Sequence, residues 1–196
     1  MKPYSNRLKR IVFTSHYTMG ALFQGFQEGI GGNKCSNYKA GASLCLLTMD
    51  HYYSQFKKIR ESTVGVIKDP DVSYDGKKIL FAETKDNNGF HLYELDAASP
   101  QNVRQITSNP PNLRISDFDG CYLPNGDILF QSSRNFGLVD CFTNISSNLF
   151  ICNKDGKYLR RIGYDQVQTF YPTVMGDGKV LYTRWEYNDR SQVYSM

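Results

Sequence analysis

Asp75-Gly76-Lys77-Lys78-Ile79-Leu80-Phe81 is the stretch that decides the fold, because the chain repeats it twice. The copies are Asn125-Gly126-Asp127-Ile128-Leu129-Phe130 and Asp177-Gly178-Lys179-Val180-Leu181-Tyr182, and their glycines follow one another at intervals of 50 and 52 residues. Each copy joins an Asp-Gly or Asn-Gly step to an aliphatic and aromatic run. This pattern is typical of a tight β-turn that opens a strand, since glycine accepts the positive φ of such a turn. The repeat predicts three equivalent hairpins, with structural glycines at Gly76, Gly126 and Gly178.

Further strand-like runs flank the hairpins at matching places. A first strand precedes each turn, at residues 70–74, 120–123 and 171–174. A third strand follows each hairpin, at residues 91–96, 148–153 and 192–194. A fourth follows in two copies, at residues 103–107 and 158–162. Four antiparallel strands that recur about every 40 to 50 residues are typical of a β-propeller blade.

The start of the chain fits the same scheme with one strand fewer. Residues 10–14, 43–49 and 55–59 match the second, third and fourth strands of a blade, with a Gly-rich insertion at 17–41. We predict an all-β fold, a partial β-propeller of about three and a half four-stranded antiparallel blades. The predicted blades of this single incomplete domain, residues 1–196, span 8–61, 66–107, 117–163 and 168–196.

Composition agrees with this fold and excludes several classes of function. The 196 residues are 40% hydrophobic and include 14 Tyr, 12 Phe and 16 Gly, a usage that favours strands and turns. The net charge of +4 is spread along the chain without the basic stripe of a nucleic-acid binder, so we expect no nucleic-acid partner. No apolar run approaches the roughly 18 to 20 residues of a membrane-spanning helix.

The cysteines give no sign of a cofactor. There are five, an odd number, and neither C-x-x-C nor C-x-x-C-H occurs, so we expect no zinc ribbon, no attached haem and no metal site. Cys45 and Cys152 lie in alternating strand-like runs and are expected in the core. Cys35 and Cys141 lie in loop-like stretches, where they could pair in an oxidising compartment.

An open arc of blades predicts a further partner. Propellers typically close rings of about 4 to 8 blades, and an open arc leaves two apolar faces exposed. We expect missing blades of a longer chain to complete the ring, and the alternative is a four-bladed ring that pairs the two incomplete blades. No export signal is visible at residues 1–10, because a strand-like run follows them directly.

Several strings resemble known bacterial propellers. Residues 69–81 are similar to the repeat of TolB-like and WD40-like propellers. Residues 66–187 more specifically resemble the family named for the middle domain of the hydrazine synthase alpha subunit. The strings that carry this likeness are Ile11-Val12-Phe13-Thr14-Ser15-His16-Tyr17 with Met19-Gly20, Gly120-Cys121-Tyr122-Leu123-Pro124-Asn125-Gly126-Asp127-Ile128, Ser147-Asn148-Leu149-Phe150, Pro172-Thr173-Val174-Met175 and Tyr182-Thr183-Arg184-Trp185-Glu186-Tyr187.

The resemblance implies a compartment and a context. Members of this family are large exported bacterial proteins in which the propeller is an internal module, so a periplasmic or extracellular location is implied. The namesake belongs to a haem enzyme. Because the haem attachment motif is absent from this segment, its chemistry is not carried over.

Candidate ligand-binding residues lie where the first strands of several blades would converge. The polar residues at these places are Asp69, Asp71, Asp117, Asp119 and Gln168. Paired carboxylates could bind a cation or act as acid and base, which makes Asp71 and Asp119 candidates. The competing interpretation of Asp69 and Asp71 is that they cap a turn through the local backbone.

His16 and Tyr17 follow a strand and could project into the mouth of the channel. A histidine there could be a metal ligand or a general base, although no partner stands at ligand spacing, which favours a structural role. Trp185 could form a stacking platform for a sugar with Tyr17 and Tyr187. The competing interpretation is that Trp185 packs between blades.

Arg134 and Arg184 follow the second strands of successive blades, and we interpret them as equivalent. Recurrence favours structural ion pairs, with Asp140 and Asp189 as the predicted partners. The alternative is that the guanidinium groups bind a carboxylate- or phosphate-bearing ligand.

Two functions follow from these observations. The first is a non-catalytic scaffold or binding module with a protein or carbohydrate ligand. The alternative is an enzyme at the channel mouth that acts on a carbohydrate or supports a redox centre elsewhere in the full-length protein. No catalytic residue is predicted, since the sequence lacks a phosphate loop, a nucleophile elbow and H-E-x-x-H. Convergence of Asp71, Asp119 and His16 with an arginine around one pocket would favour the enzyme.

Overall fold

The computed structural model describes residues 9–17, 39–49, 53–85, 89–138 and 145–185. In these ranges the strands form four antiparallel sheets, and each sheet is built from strands that follow one another along the chain. Most of the predicted insertion at 17–41 and the predicted strand at 192–194 lie outside the described residues. The successive meanders confirm the predicted all-β partial propeller.

The sheets are numbered in chain order. The first contains β1 (Arg10–His16), β2 (Ala42–Met49) and β3 (Ser54–Ser62). The second contains β4 (Val66–Val72), β5 (Lys78–Thr84), β6 (His91–Asp96) and β7 (Val103–Gln105). The third contains β8 (Asp117–Tyr122), β9 (Ile128–Ser132), β10 (Asn148–Cys152) and β11 (Arg160–Arg161), with a 3-10 turn at Ser133–Asn135 after β9. The fourth contains β12 (Gln168–Val174) and β13 (Val180–Trp185).

Each central sheet packs against a neighbour on both faces, because successive side chains of a strand point in opposite directions. On β5, Phe81 faces the first sheet and shares a buried cluster with Leu44. Leu80 faces the third sheet and shares a cluster with Phe118. A Cβ at Gly120 would lie 2.8 Å from Cδ2 of Leu80, so the second and third sheets approach closely only with glycine there.

A β-bulge interrupts the first strand of the second, third and fourth sheets. These strands begin at residues 66, 117 and 168, earlier than the predicted 70, 120 and 171. The register of each shifts within the strand. At the shift φ is positive, at 53° for Asp69, 49° for Asp119 and 50° for Tyr171. Pro70 is accommodated inside β4 for this reason, since a bulge interrupts the hydrogen-bonded ladder in which a proline is otherwise excluded.

The Asp-Gly and Asn-Gly turns lie together at one end of the sheets, which we call the hairpin end. Gly76, Gly126 and Gly178 have φ of 70°, 87° and 83°, the left-handed conformation that such turns demand. The starts of β4, β8 and β12 lie at the opposite end.

The described ranges answer two further expectations from the sequence. Cys45 and Cys152 are buried, as predicted, whereas Cys35 and Cys141 lie outside these ranges. Within the described ranges, no helix has the length and apolar character needed to cross a bilayer.

Candidate functional site

Asp69 and Asp71 connect the first strands of two neighbouring sheets. Oδ2 of Asp71 accepts a hydrogen bond from the backbone nitrogen of Tyr122 at 2.8 Å, and Oδ2 of Asp69 accepts one from the backbone nitrogen of Asp119 at 3.2 Å. Burial raises the pKa of Asp71, although the backbone N–H groups of Tyr122 and Val72 oppose this shift. The two carboxylates therefore bind the backbone of β8. The interpretation that they only cap a turn through the local backbone does not account for these contacts.

A buried lysine lies beside these carboxylates. Nζ of Lys68 is 3.1 Å from Oδ2 of Asp69 and 4.5 Å from the ring centroid of Phe118. Lys68 is 4% exposed and Asp119 is 8% exposed, so both are withdrawn from solvent. The predicted ligand-binding candidate Asp119 thus belongs to the interface between the second and third sheets.

Arg134 binds a carboxylate within its own sheet. Its Nε donates to Oδ1 of Asp117 at 3.1 Å and its Nη2 donates to Oδ2 at 2.6 Å, which is the bidentate geometry that guanidinium groups favour. The Ser132 hydroxyl also donates to Oδ1 of Asp117, and Nη2 of Arg134 donates to the carbonyl oxygen of Ser108. The structure therefore assigns Asp117 as an ion-pair partner of Arg134, and the predicted partner Asp140 lies outside the described residues.

The predicted equivalence of Arg134 and Arg184 is wrong. Arg184 lies within β13, whereas Arg134 lies in the turn after β9, and the pairing register matches Arg184 to Ser132. Nε of Arg184 is 3.0 Å from Oδ1 of Asp165, which precedes β12. The predicted partner Asp189 lies outside the described residues. Both arginines thus pair with a carboxylate that comes earlier in the chain.

Trp185 is part of a small buried cluster. It is 2% exposed and packs with Val167 and Phe170. Its ring is therefore not available as a platform for a sugar, and Tyr187 lies outside the described residues. The stacking site proposed from these aromatic residues is not formed by Trp185.

His16 and Tyr17 line a cavity of about 340 Å³ on the first sheet, together with Lys58 and Glu61. Nδ1 of His16 lies 2.9 Å from the carbonyl oxygen of Tyr17, and Nζ of Lys39 lies 4.2 Å from the centroid of the Tyr17 ring. The other four predicted ligand-binding residues are absent from the lining of this cavity. His16 therefore lies apart from Asp71 and Asp119, which do not line this cavity.

Gln168 links the third and fourth sheets. Its Nε2 donates to Oγ of Ser147 at 3.0 Å, and Nε2 of Gln131 donates to the same hydroxyl. The backbone nitrogen of Thr169 donates to the carbonyl oxygen of Ser147 at 3.2 Å. Each of these four residues is at most 1% exposed, so this polar layer at the opposite end is enclosed between the sheets.

A groove of about 560 Å³ lies at the hairpin end between the second and third sheets. Two tyrosines and six charged residues contribute to its wall: Tyr74, Asp75, Lys78, Glu94, Arg104, Tyr122, Lys154 and Asp155. The Asp-Gly turn at 73–77 and the Asn-Gly turn at 123–127 form two of its margins. The repeated turn sequence therefore shapes the groove as well as the sheets.

Glu94 organises the charges of this groove. Its Oε1 accepts hydrogen bonds from Nζ of Lys78 at 3.0 Å and from Nη2 of Arg104 at 2.9 Å, and its Oε2 accepts one from the Tyr122 hydroxyl at 2.9 Å. Burial alone would raise the pKa of Glu94, but these donors together hold it below its usual value. Nη1 of Arg104 also lies 3.0 Å from Oδ1 of Asp155. Two cations and two carboxylates thus balance one another.

Sequence reasoning missed this groove. One signal was present, because Glu94 is a charged residue in the middle of the apolar run His-Leu-Tyr-Glu-Leu-Asp of β6. Its partner Arg104 stands on the next strand, directly opposite it.

In the part of the chain that the structure describes, no group of three or more His, Cys, Asp and Glu side chains could hold a metal ion.

No model of a known protein family matches the sequence, and no curated protein matches it. Solved structures do match. TolB from Acinetobacter baumannii has a TM-score of 0.55 at 17% identity over 80% of this chain, and a putative TolB from Agrobacterium tumefaciens has 0.52 at 18% over 80%. Puromycin hydrolase has a TM-score of 0.54 at 10% identity over 72% of the chain. The chain therefore has a TolB-like β-propeller fold. It spans 34%, 54% and 23% of the lengths of these three proteins.

Proposed function

We propose that this chain is a non-catalytic binding and scaffold module of a larger exported bacterial protein. The proposal is supported mainly by the contacts of the polar residues that the sequence offered as ligand-binding candidates. Asp71 binds the backbone of the neighbouring sheet and Arg134 binds Asp117, so their polar groups are committed to structure. Of the two cavities described above, the groove between the second and third sheets is the larger, and we place the ligand there.

We assign a neutral carbohydrate to this groove. The three cations Lys78, Arg104 and Lys154 are equal in number to the three carboxylates Asp75, Glu94 and Asp155, so the wall presents hydrogen-bond donors and acceptors with little net charge. Tyr74 is 66% exposed at the margin, and an exposed tyrosine ring offers a flat face on which a sugar can stack. These features suit a ligand that has many hydroxyl groups and no charge.

The larger context of the proposal rests on two supports. The sequence strings resemble the middle domain of the hydrazine synthase alpha subunit, a family of exported proteins. The solved TolB structures are longer than this chain, which spans 34% and 54% of them. Fractionation of the native cells with an antibody against the chain tests the location, and recovery in the cytoplasmic fraction would contradict it.

The enzyme alternative requires candidate residues that converge. Among the described residues, His16 lines a cavity on the first sheet, whereas Asp71 lies on β4 at the interface with β8. General acid and base groups must lie within hydrogen-bond reach of one substrate. The carboxylates Asp71 and Asp119 do not line the cavity of His16, so the histidine does not share a pocket with them.

Binding of neutral oligosaccharides tests the module. Maltohexaose, cellohexaose and chitohexaose are titrated calorimetrically against the chain and against Tyr74→Ala and Arg104→Gln. We expect saturable binding to at least one sugar, weakened tenfold or more in both variants. Tyr53→Ala removes another exposed tyrosine, on the first sheet, and should bind as the wild type does.

Chromatography of the sugar after long incubation separates the two functions. An unchanged sugar is expected from a binding module. Cleaved or oxidised sugar would support the enzyme and overturn the proposal. Binding that is equally strong in the groove variants, or no binding to any of the three sugars, would overturn the assignment of the groove.

A further inference from the structure

Residues 157–164, which we call the rim segment, form the outer edge of the third sheet around β11. Four large side chains there are exposed: Tyr158 at 80%, Tyr164 at 74%, Ile162 at 43% and Leu159 at 36%. Tyr158 also has φ of 56°, an uncommon conformation for a bulky residue. The segment thus presents apolar and aromatic groups to solvent that the fold itself does not bury.

The corresponding edge of the second sheet shows what is unusual here. Arg104 on β7 pairs with Glu94 of β6, and Arg160 on β11 occupies the same register position opposite Ile151 of β10. Arg104 is held by Glu94 and by Asp155. Arg160 forms no ion pair with any residue that the structure describes, because its neighbouring strand carries isoleucine where β6 carries glutamate.

The other cations of this edge likewise form no ion pair with a described carboxylate. The ammonium group of Lys157 forms no ion pair in the described ranges. Arg161 donates to the carbonyl oxygen of Gly163 and to Oδ1 of Asn148, and its guanidinium lies 4.8 Å from the centroid of the Tyr164 ring.

The carboxylates that flank the rim segment are already committed. Asp155 pairs with Arg104, and Asp165 pairs with Arg184. No carboxylate among the described residues therefore matches the positive charge of this edge, which lies beside exposed tyrosine, leucine and isoleucine side chains.

We propose that the rim segment binds the surface of an anionic phospholipid bilayer. Lysine and arginine are attracted to anionic head groups, whereas tyrosine places its ring at the boundary of the hydrocarbon and its hydroxyl in water. Leu159 and Ile162 supply aliphatic groups that gain free energy when they enter this boundary. The three cations Lys157, Arg160 and Arg161 and the four exposed aromatic and aliphatic side chains match both layers of such a surface.

A planar partner fits this edge better than an acidic peptide does. A peptide that adds as a strand needs a row of free backbone groups, but β11 has only two residues and the Tyr164 hydroxyl donates to the carbonyl oxygen of Arg161 at 3.2 Å. The rim residues also lie outside both cavities described above. The exposed side chains of this edge can each contact a lipid bilayer without a row of free backbone groups.

Sedimentation with lipid vesicles tests the proposal on the whole chain. We expect binding to vesicles of phosphatidylcholine with phosphatidylglycerol, no binding to phosphatidylcholine alone, and weaker binding as the salt concentration rises. Lys157→Gln with Arg160→Gln should weaken binding about 25-fold, at about fivefold per cation. Tyr158→Ser should weaken it without any change in charge.

A charge-matched control separates this site from the net charge of the protein. Lys77→Gln with Lys179→Gln removes two lysines of the hairpin turns, each with a side chain 78% exposed, and should leave vesicle binding within about twofold of the wild type. Melting temperatures equal to that of the wild type show that the variants fold. Equal weakening by both double variants, or no binding to anionic vesicles, would overturn the proposal. Binding of a fluorescent polyglutamate peptide in place of vesicles, lost in the rim variant, would overturn it in favour of an acidic polypeptide.

Discussion

Arg134 binds both carboxylate oxygens of Asp117, a residue with 0% of its surface exposed. Replacement of Arg134 by Gln leaves this buried carboxylate without its cation. We expect the free energy of unfolding to fall by about 3 to 5 kcal/mol, the usual cost of removing one partner of a buried pair. Urea titration followed by circular dichroism measures the loss.

A second substitution distinguishes the ion pair from a general loss of packing. Asp117→Asn removes the charge that Arg134 neutralises, so the double variant should lose less than the sum of the two single variants. Arg160→Gln removes an arginine that pairs with none of the described carboxylates and should change stability by less than about 0.5 kcal/mol. Additive losses in the double variant would show that the two residues act independently.

Gly156 and Gly178 provide a matched pair of substitutions. Both have positive φ, 74° and 83°, so alanine is strained at either position, at about 1 to 2 kcal/mol. A Cβ at Gly178 meets open space, whereas a Cβ at Gly156 would lie 2.0 Å from the carbonyl oxygen of Ile106. Gly156→Ala should therefore lower the melting temperature at least twice as much as Gly178→Ala. Equal shifts would indicate that the backbone at Gly156 moves away freely.

Glu94 should contribute stability that disappears in acid. Its pKa in the folded chain lies below the usual value, so the folded state favours the ionised carboxylate. This contribution is present above the unfolded pKa of about 4.3 and is lost as the pH falls through the folded pKa. Glu94→Gln should be less stable than the wild type at pH 7, with a difference that shrinks toward pH 3. A difference that stays constant with pH would contradict this role.

Asp71 should show the opposite sign. Burial raises its pKa, so protonation favours the folded state, and the wild type gains stability as the pH falls from the folded pKa toward the unfolded value of about 3.9. Asp71→Asn keeps an oxygen that accepts from the backbone nitrogen of Tyr122 and removes the charge. The variant should be at least as stable as the wild type at pH 7, and its advantage should vanish near pH 4. Chemical denaturation at several pH values measures both trends.

The buried thiols should resist modification. Burial, with nearby carboxylates, raises the pKa of Cys121 and of Cys152 to about 12, and Cys45 is also buried. The variant with Cys35→Ser and Cys141→Ser removes the remaining two cysteines. At pH 8 its three thiols should react with a disulfide reagent only at the rate of unfolding, and at once in strong denaturant. Fast reaction of the native protein would contradict the burial of these strands.

The sequence predicted local features of this fold well and distant contacts poorly. The turn at Gly126 and the strand that follows it depend on a few neighbouring residues, so the local sequence is enough to predict both. Asp117 comes 17 residues before Arg134 and meets it only because β8 pairs with β9, so the sequence alone gives no sign of this contact. The sequence predicts that a strand starts at Pro70, whereas Pro70 lies inside β4 next to a bulge. A bulge depends on how two strands pair, so the sequence of one strand gives little sign of it.

The bulges in β4, β8 and β12 separate the choice of side chain from the pairing of the strands. A residue in an interrupted part of the ladder can change its chemistry without a slip in register, which would turn every following side chain to the wrong face. The chain has Asp69, Asp119 and Tyr171 at these three sites. The side chain at the bulge can thus differ from one sheet to the next while the strand pairing on either side of it is kept.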